Sequence, residues 1–505
     1  MKSYPQRTQN ILFSLILSLL ILALLPGCRE DDEVEMSHPY RVGVNFVTVS
    51  RAESAGLDGT AGMLEDLSAL GVGGIRQLPG ADVCWHSIYD GSGDYDDPSN
   101  YDFSASDELI ANDSEIYIIP TLFQIGATSA VRHGAPDDRS LYTPGGDKID
   151  VSDSRIADQV EGYVRVVAAR YKYWVKHFEV ANEIKGMSDF SAEDYARLLI
   201  CVKSALEDVD PDLQLVLGGL AGTVDGVFYN HLDWFEEVLE ELEDRGRLDV
   251  IDVVNFHYYD RWELLPCAID ALKDLLEDFG IEDRPIWATE IGSSYIASDQ
   301  SGHTEDASES EQASDLFRKL SICFGSGVDL VGWHTYISGT DTISESNTWY
   351  GFGLRHPGGR KALSYYSFAL FSDVLGDFKS CRALSEGEDG VWAYRFLVQQ
   401  SRGGVMFTSK WVWVLWSEEE SGTSYAISAG GSTSVQVTSV VSDAEGNFTS
   451  ESQDPSAISL SRTPVLIEYS PHLKLGSSLV GTGRTAEKSV GLEKKVMISD
   501  GRLGR

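Results

Sequence analysis

Trp174-Val175-Lys176-His177-Phe178-Glu179-Val180-Ala181-Asn182-Glu183 and Pro285-Ile286-Trp287-Ala288-Thr289-Glu290-Ile291-Gly292 are the two stretches that decide how this chain is read. Each is a short apolar run that closes on a glutamate. Each reads as a buried strand delivering one carboxylate, Glu183 or Glu290, at its C-terminal end. In a barrel of parallel strands, that end is where chemistry is built.

Working outward, strand and helix signals alternate on both sides of these runs. Strand patterns fall at Tyr40–Val47, Val72–Arg76, Ile116–Thr121, Trp174–Ala181, Leu213–Leu217, Val250–Phe256, Pro285–Thr289 and Val328–Trp333. Helical spacing separates them, for example Ile156, Val160, Tyr163, Val164 and Val167 on one face of Ser152–Arg170. Ser191 with Asp194 predicts a capped helix start. Eight strand–helix units over residues 40–376 predict an α/β fold, a (β/α)8 TIM barrel. A doubly wound sheet would bring a Gly-rich turn after its first strand, and Asn45-Phe46-Val47-Thr48 is not one.

From about Asp377 the period changes to two, as in Val391–Val398, Trp411–Trp416, Ser424–Ile427 and Val435–Val441. Short alternating strands with Gly and Ser turns predict a C-terminal antiparallel β-sandwich over residues 377–470. No Pro- or Ser-rich linker precedes it, so a packing partner of the barrel is favoured over a tethered carbohydrate-binding module. Residues 471–505 carry little periodicity and are expected to be disordered.

The N-terminus reads as a targeting segment. Lys2 and Arg7 precede an apolar run, Ile11–Leu25, suited to a signal peptide and short for a membrane span. It ends Leu25-Pro26-Gly27-Cys28, which resembles a bacterial lipobox. That resemblance implies a lipoprotein signal peptide over residues 1–28, lipidation at Cys28 and anchorage in the bacterial cell envelope. Residues 29–39 read as an acidic linker. The other cysteines, Cys84, Cys201, Cys267, Cys323 and Cys381, are scattered without a CxxC pair, so a metal knuckle or dense disulfide framework is not expected. Cys201 and Cys323 fall in apolar helical patterns and read as core.

The 505-residue chain holds 79 acidic against 40 basic residues, a formal net charge of −39. This excludes nucleic acid as an expected partner, since that needs a basic footprint. It also weighs toward a neutral rather than a polyanionic glycan.

Two carboxylates on one barrel rim are what glycosidic bond cleavage needs, a nucleophile and an acid/base roughly 5–5.5 Å apart in the retaining case. The nucleophile must stay ionised, which calls for a cation or hydrogen-bond donors. Arg76, at the end of the second strand, is the candidate cation. Tyr259 or Tyr258, after the sixth strand, is the candidate donor. Asn182 can bind a sugar hydroxyl, and His257 can orient the network or bind substrate. No HxH or HExxH occurs, so neither a metal nor an organic cofactor is expected.

Asn182-Glu183 after the fourth strand and Glu290 after the seventh resemble the signature of glycoside hydrolase clan A, with families 5 and 39 nearest. The resemblance implies that Glu183 is the acid/base and Glu290 the nucleophile. It likens Arg76 to the arginine that ends strand two. His257-Tyr258-Tyr259 resembles a His-x-Tyr motif, which favours Tyr259 as the nucleophile's partner. Trp333 resembles the strand-eight aromatic floor of the sugar subsite. Ile184 follows Asn182-Glu183 where proline is usual in those families, and the sugar is left open. The expected activity is retaining hydrolysis of a β-glycosidic bond in a neutral oligo- or polysaccharide. The alternative is a non-catalytic glycan-binding surface lipoprotein on the same scaffold. Oligomeric state is left open.

Overall fold

The structure is a computed structural model. It describes residues 34–35, 41–45, 48–76, 83–91, 93–111, 115–123, 141–221, 227–297, 307–340, 350–402 and 405–469. Cys28, the segment before it and residues 471–505 lie outside the described residues.

After β1 (Val34–Glu35), eight parallel strands close a ring: β2 (Val42–Asn45), β3 (Gly74–Arg76), β4 (Tyr117–Ile119), β5 (His177–Val180), β6 (Gln214–Leu217), β7 (Val254–Tyr258), β8 (Ile286–Ile291) and β9 (Leu330–Trp333). Six of them pair in the order β4-β3-β2-β9-β8-β7, and β5 pairs with β6. Single bridges close the two gaps, Thr121 with Glu179 and Val216 with Val253. The predicted (β/α)8 barrel is thus present, with all eight predicted strands in their predicted places.

The helices are α1 (Val49–Ser54), α2 (Gly59–Ala69), α3 (Trp85–Ile88), α4 (Ser104–Ile110), α5 (Ser154–Tyr171), α6 (Ile184–Met187), α7 (Ala192–Val209), α8 (Val227–Asp244), α9 (Leu265–Asp278), α10 (Glu309–Gly325) and α11 (Leu363–Leu375). The capping box of α7 forms as its sequence predicts. The Ser191 hydroxyl accepts from the Asp194 N–H, and the Asp194 carboxylate accepts from the Ser191 N–H.

Strand alternation sorts the core into two layers. Ile119, Val216, Val253, Trp287 and Leu330 form a small cluster inside the barrel. The residues between them along the strands, such as Val331 and Trp333, join the large core beneath the helices. Trp287 also fills the barrel floor against His177, ring centroids 4.7 Å apart.

The C-terminal strands are β10 (Phe378–Glu388), β11 (Val391–Arg402), β12 (Val405–Ser417), β13 (Thr423–Tyr425), β14 (Val435–Ser442), β15 (Phe448–Gln453), β16 (Ile458–Leu460) and β17 (Val465–Tyr469). Seven strands form one antiparallel sheet, ordered β1-β10-β11-β12-β17-β14-β15, and β13 pairs with β16 in a second layer. Val391, Trp413, Leu415, Val437, Ile458 and Ile467 fill the space between them. This is the predicted antiparallel sandwich. It packs directly on the barrel: Trp262 meets Trp392 and Trp416 edge-on, and Phe378 and Phe396 continue the helix-layer core.

One segment of the predicted linker is instead structural. Val34–Glu35 pairs antiparallel with Ser380–Cys381 and supplies the edge strand of the C-terminal sheet. Acidic composition hid a strand only two residues long. Cys201 and Cys323 are buried as expected.

Candidate active site

Glu183 and Glu290 reach the barrel axis by two different backbone devices. After β5, Ala181 and Glu183 both take left-handed conformations, φ 66° and 47°. Such values cost a non-glycine residue about 1–3 kcal/mol and concentrate at functional sites. They turn the chain so that Asn182 and Glu183 both lie beside the mouth. In β8 the device is a bulge. Phe256 is opposite Ala288, but His257 is opposite Glu290, so Thr289 is an extra residue. Its hydroxyl donates to Asn255 Oδ1 at 2.9 Å, inside the barrel. The next side chain, Glu290, also faces inward. A bulge can re-aim a side chain in this way.

Ligand atoms of Glu183, His257 and Glu290 all lie within 4.8 Å of one another. The two carboxylates are therefore at the spacing of a retaining pair rather than the 6.5–9.5 Å of an inverting one.

Arg76 organises the floor of the site. Its guanidinium is buried and grips Glu179 with two donors, Nε to Oε2 at 2.7 Å and Nη2 to Oε1. Nη1 donates to Glu290 Oε1, and Nη2 also donates to Asn182 Oδ1 at 2.7 Å. Burial opposes its charge, but Glu179, then Glu290 and Glu183, hold its pKa above the ordinary value. The Tyr259 hydroxyl donates to Glu290 Oε2. Burial and the neighbouring Glu290 push that phenol far above its usual range, so it remains a donor. Burial also acts to raise Glu290, yet His257, Arg76, His334 and the Tyr259 hydrogen bond hold it down at about 2. Glu290 is thus a carboxylate at any ordinary pH.

His257 links the two glutamates. Nδ1 lies 2.7 Å from Glu183 Oε1, and Nε2 lies 3.2 Å from Thr289 Oγ1. Its ring packs against the backbone of Gly219, after β6. A Cβ added there would sit 2.1 Å from His257 Nε2. Gly219→Ala must therefore displace a buried ring held at both nitrogens. We expect kcat to fall on the order of 10–100-fold with less change in KM, since a shift of about 1 Å near the reacting centre has that effect. Steady-state kinetics on an aryl glycoside checks it.

The structure brings Glu183, Glu290, Asn182, Arg76, His257 and Tyr259 together. Of the two candidate tyrosines it selects Tyr259, because the Tyr258 hydroxyl turns away to the Arg261 carbonyl at 2.6 Å. Trp333 is a correction. It is fully buried on the helix-facing side of β9, away from the mouth, and cannot floor a sugar subsite. The inward place falls to the next residue. His334 Nδ1 bonds Asn45 Oδ1 at 2.8 Å, and its ring meets Tyr259 edge-on at 5.4 Å. Burial lowers its pKa to about 4, with Glu290 opposing, so it is neutral near pH 7.

Glu179, Asn45 and His334 were not singled out from the sequence. Each carried a usable signal: a polar residue on or just beyond a barrel strand, in an otherwise apolar run. Glu183, His257 and Glu290 also have the donor types of a metal site. However, the two Glu290 oxygens already accept from Arg76 and Tyr259, and a guanidinium beside them repels a dication. The arrangement suits proton transfer and nucleophilic attack.

The fold is shared with solved glycoside hydrolases. Among solved structures, the chain is similar to a family 39 glycoside hydrolase from the gut symbiont Bacteroides cellulosilyticus WH2, with TM-score 0.57 and 16% identity over 86% of this chain and 82% of that one. It is similar to a glucosidase from Croceicoccus marinus, TM-score 0.59 and 13% identity, covering 87% and 97%. It is also similar to a family 39 β-xylosidase from Caulobacter crescentus, TM-score 0.55 and 17% identity, covering 87% and 98%. No protein-family model matches the chain, and no curated protein sequence does either.

Proposed function

We propose that the protein is a retaining glycoside hydrolase that cleaves a β-glycosidic bond by double displacement. The observation that carries this is the pair Glu183 and Glu290, with carboxylate oxygens within 4.8 Å and Glu290 held ionised by Arg76 and Tyr259. In the first step Glu290 attacks the anomeric carbon. The bond to the leaving oxygen breaks, and that oxygen takes the Glu183 proton. In the second step Glu183 removes a proton from water, which displaces Glu290 from the sugar. His257 holds Glu183 in place between the steps. A glycan binder without chemistry gains nothing from a buried, ionised carboxylate facing an acid.

Two of the similar structures are named a glucosidase and a β-xylosidase, so aryl β-glucosides and β-xylosides are the first substrates to assay. A 2-deoxy-2-fluoro glycoside with a good leaving group tests the reading directly. Peptide mapping is expected to find the trapped sugar on Glu290. A label on any other residue of an active preparation sinks the assignment. In Glu183→Gln, the first step on dinitrophenyl glycosides should persist within about tenfold, seen as a dinitrophenol burst, while steady-state turnover, now without its base in the second step, falls on the order of 10²–10⁴-fold. The lipobox-like Leu25-Pro26-Gly27-Cys28 supports a lipid anchor at Cys28 and a place in the bacterial cell envelope.

A further inference from the structure

The geometry points to the end of the barrel opposite the active site as a membrane-facing surface, with Tyr173 and Trp174 as its lipid-contacting wedge. Tyr173 is 81% exposed and Trp174 48%, and they are the only exposed large hydrophobic residues among those described. They form the turn between α5 and β5, which topology places at the N-terminal end of the strands. Glu183 and Glu290 lie at the other end.

The first described strand, β1, lies toward the same end. α11 returns to it, and β10 begins there, tied down by the Arg41 guanidinium donating to the Phe378 carbonyl. β1 pairs with Ser380 and Cys381, two and three residues further on. Cys28 precedes β1 by only six residues, a reach of about 20 Å fully extended. This inference rests on the lipid anchor proposed above. An acyl chain at Cys28 then holds this end, not the mouth, against the bilayer.

Trp and Tyr settle at the lipid–water interface, where one end of the ring system is dry and the other wet. Lys172 lies 5.6 Å over the Tyr173 ring, and Lys176 pairs with Asp210 at 3.6 Å, so the wedge is rimmed by polar groups. No helix of the described residues is long and apolar enough to cross a membrane, so the contact is interfacial. The two rings stand at 84° to each other, which does not make the flat platform a sugar chain stacks on. With a net charge of −39, the protein is repelled by an anionic surface, and the lipid that fits is zwitterionic.

The test uses the full chain on phosphatidylcholine vesicles carrying brominated acyl chains. Most of the tryptophan quenching is expected to vanish in Trp174→Ala, and to weaken in Tyr173→Ala, while both variants stay vesicle-bound and active. Quenching that is unchanged in both variants overturns the wedge. So does Trp174 quenching or shielding that appears only with added glycan or with rising protein concentration. Mass analysis of Cys28 and vesicle release of Cys28→Ser separate this from the anchor itself. A lipidated chain with unaffected quenching refutes the orientation alone. An unlipidated chain refutes the anchor, and the orientation with it.

Discussion

Glu290→Ala is expected to abolish glycoside turnover, a loss on the order of 10⁴–10⁶-fold in kcat, and added azide is expected to restore it on activated aryl glycosides with an inverted glycosyl azide as product. The substitution removes the attacking oxygen and leaves a cavity floored by Arg76 and roofed by Tyr259. A small anion fits there, drawn by the guanidinium. It attacks the anomeric carbon once, so the configuration inverts, whereas two displacements by the intact enzyme retain it. The variant should still fold. Arg76 keeps its two-donor grip on Glu179, so its charge is not stranded. A folded Glu290→Ala protein with wild-type rates would remove Glu290 from the mechanism.

Arg76→Met carries the second large effect, and it falls on stability as well as on chemistry. Arg76 pairs with both Glu179 and Glu290, and all three are buried. Removing one partner of a buried pair destabilises by about 3–5 kcal/mol, because the remaining charge has lost both water and partner. The pH dependence gives a sharper signature. In the native protein Glu290 sits at about 2, below its ordinary 4.5. Its contribution is therefore fully present above about 4.5 and is lost as pH falls toward 2. Without Arg76, burial, already the largest single influence on Glu290, is opposed by one charge fewer, and the carboxylate pKa rises. The loss of that contribution should then begin at higher pH in the variant than in the native protein as pH is lowered from about 7 to about 3. Denaturant unfolding across that range distinguishes the two. The acid limb of kcat/KM should also move upward in the variant. An Arg76→Met protein with native stability and an unmoved acid limb would show that Arg76 is not the compensating charge.

Much of the barrel was legible because its cues are local. Apolar runs of the right length, separated by helical spacing, marked all eight strands, and Ser191 with Asp194 marked a helix start. The carboxylate pair was legible for the same reason, since each Glu closes its own run. What escaped was whatever depends on register. Trp333 and His334 are neighbours, and only the phase of β9 decides which faces the mouth. Nothing within Leu330–Trp333 fixes that phase; pairing with β2 and β8 does. Glu179 was in plain view, but its meaning depends on Arg76, 103 positions away. β1 was invisible because a two-residue strand has no period of its own.

The extra residue at Thr289 gives this site an unusual kind of memory. The direction of Glu290 is stored as a count of residues between Ala288 and Ile291, not as the identity of any one of them. Exchanging the Thr289 side chain removes its bonds to Asn255 and His257 but leaves the count intact. Losing a single residue there turns Glu290 toward the helices, because side chains alternate along a strand. A lineage carrying this barrel can therefore drift in sequence along β8 far more freely than in length.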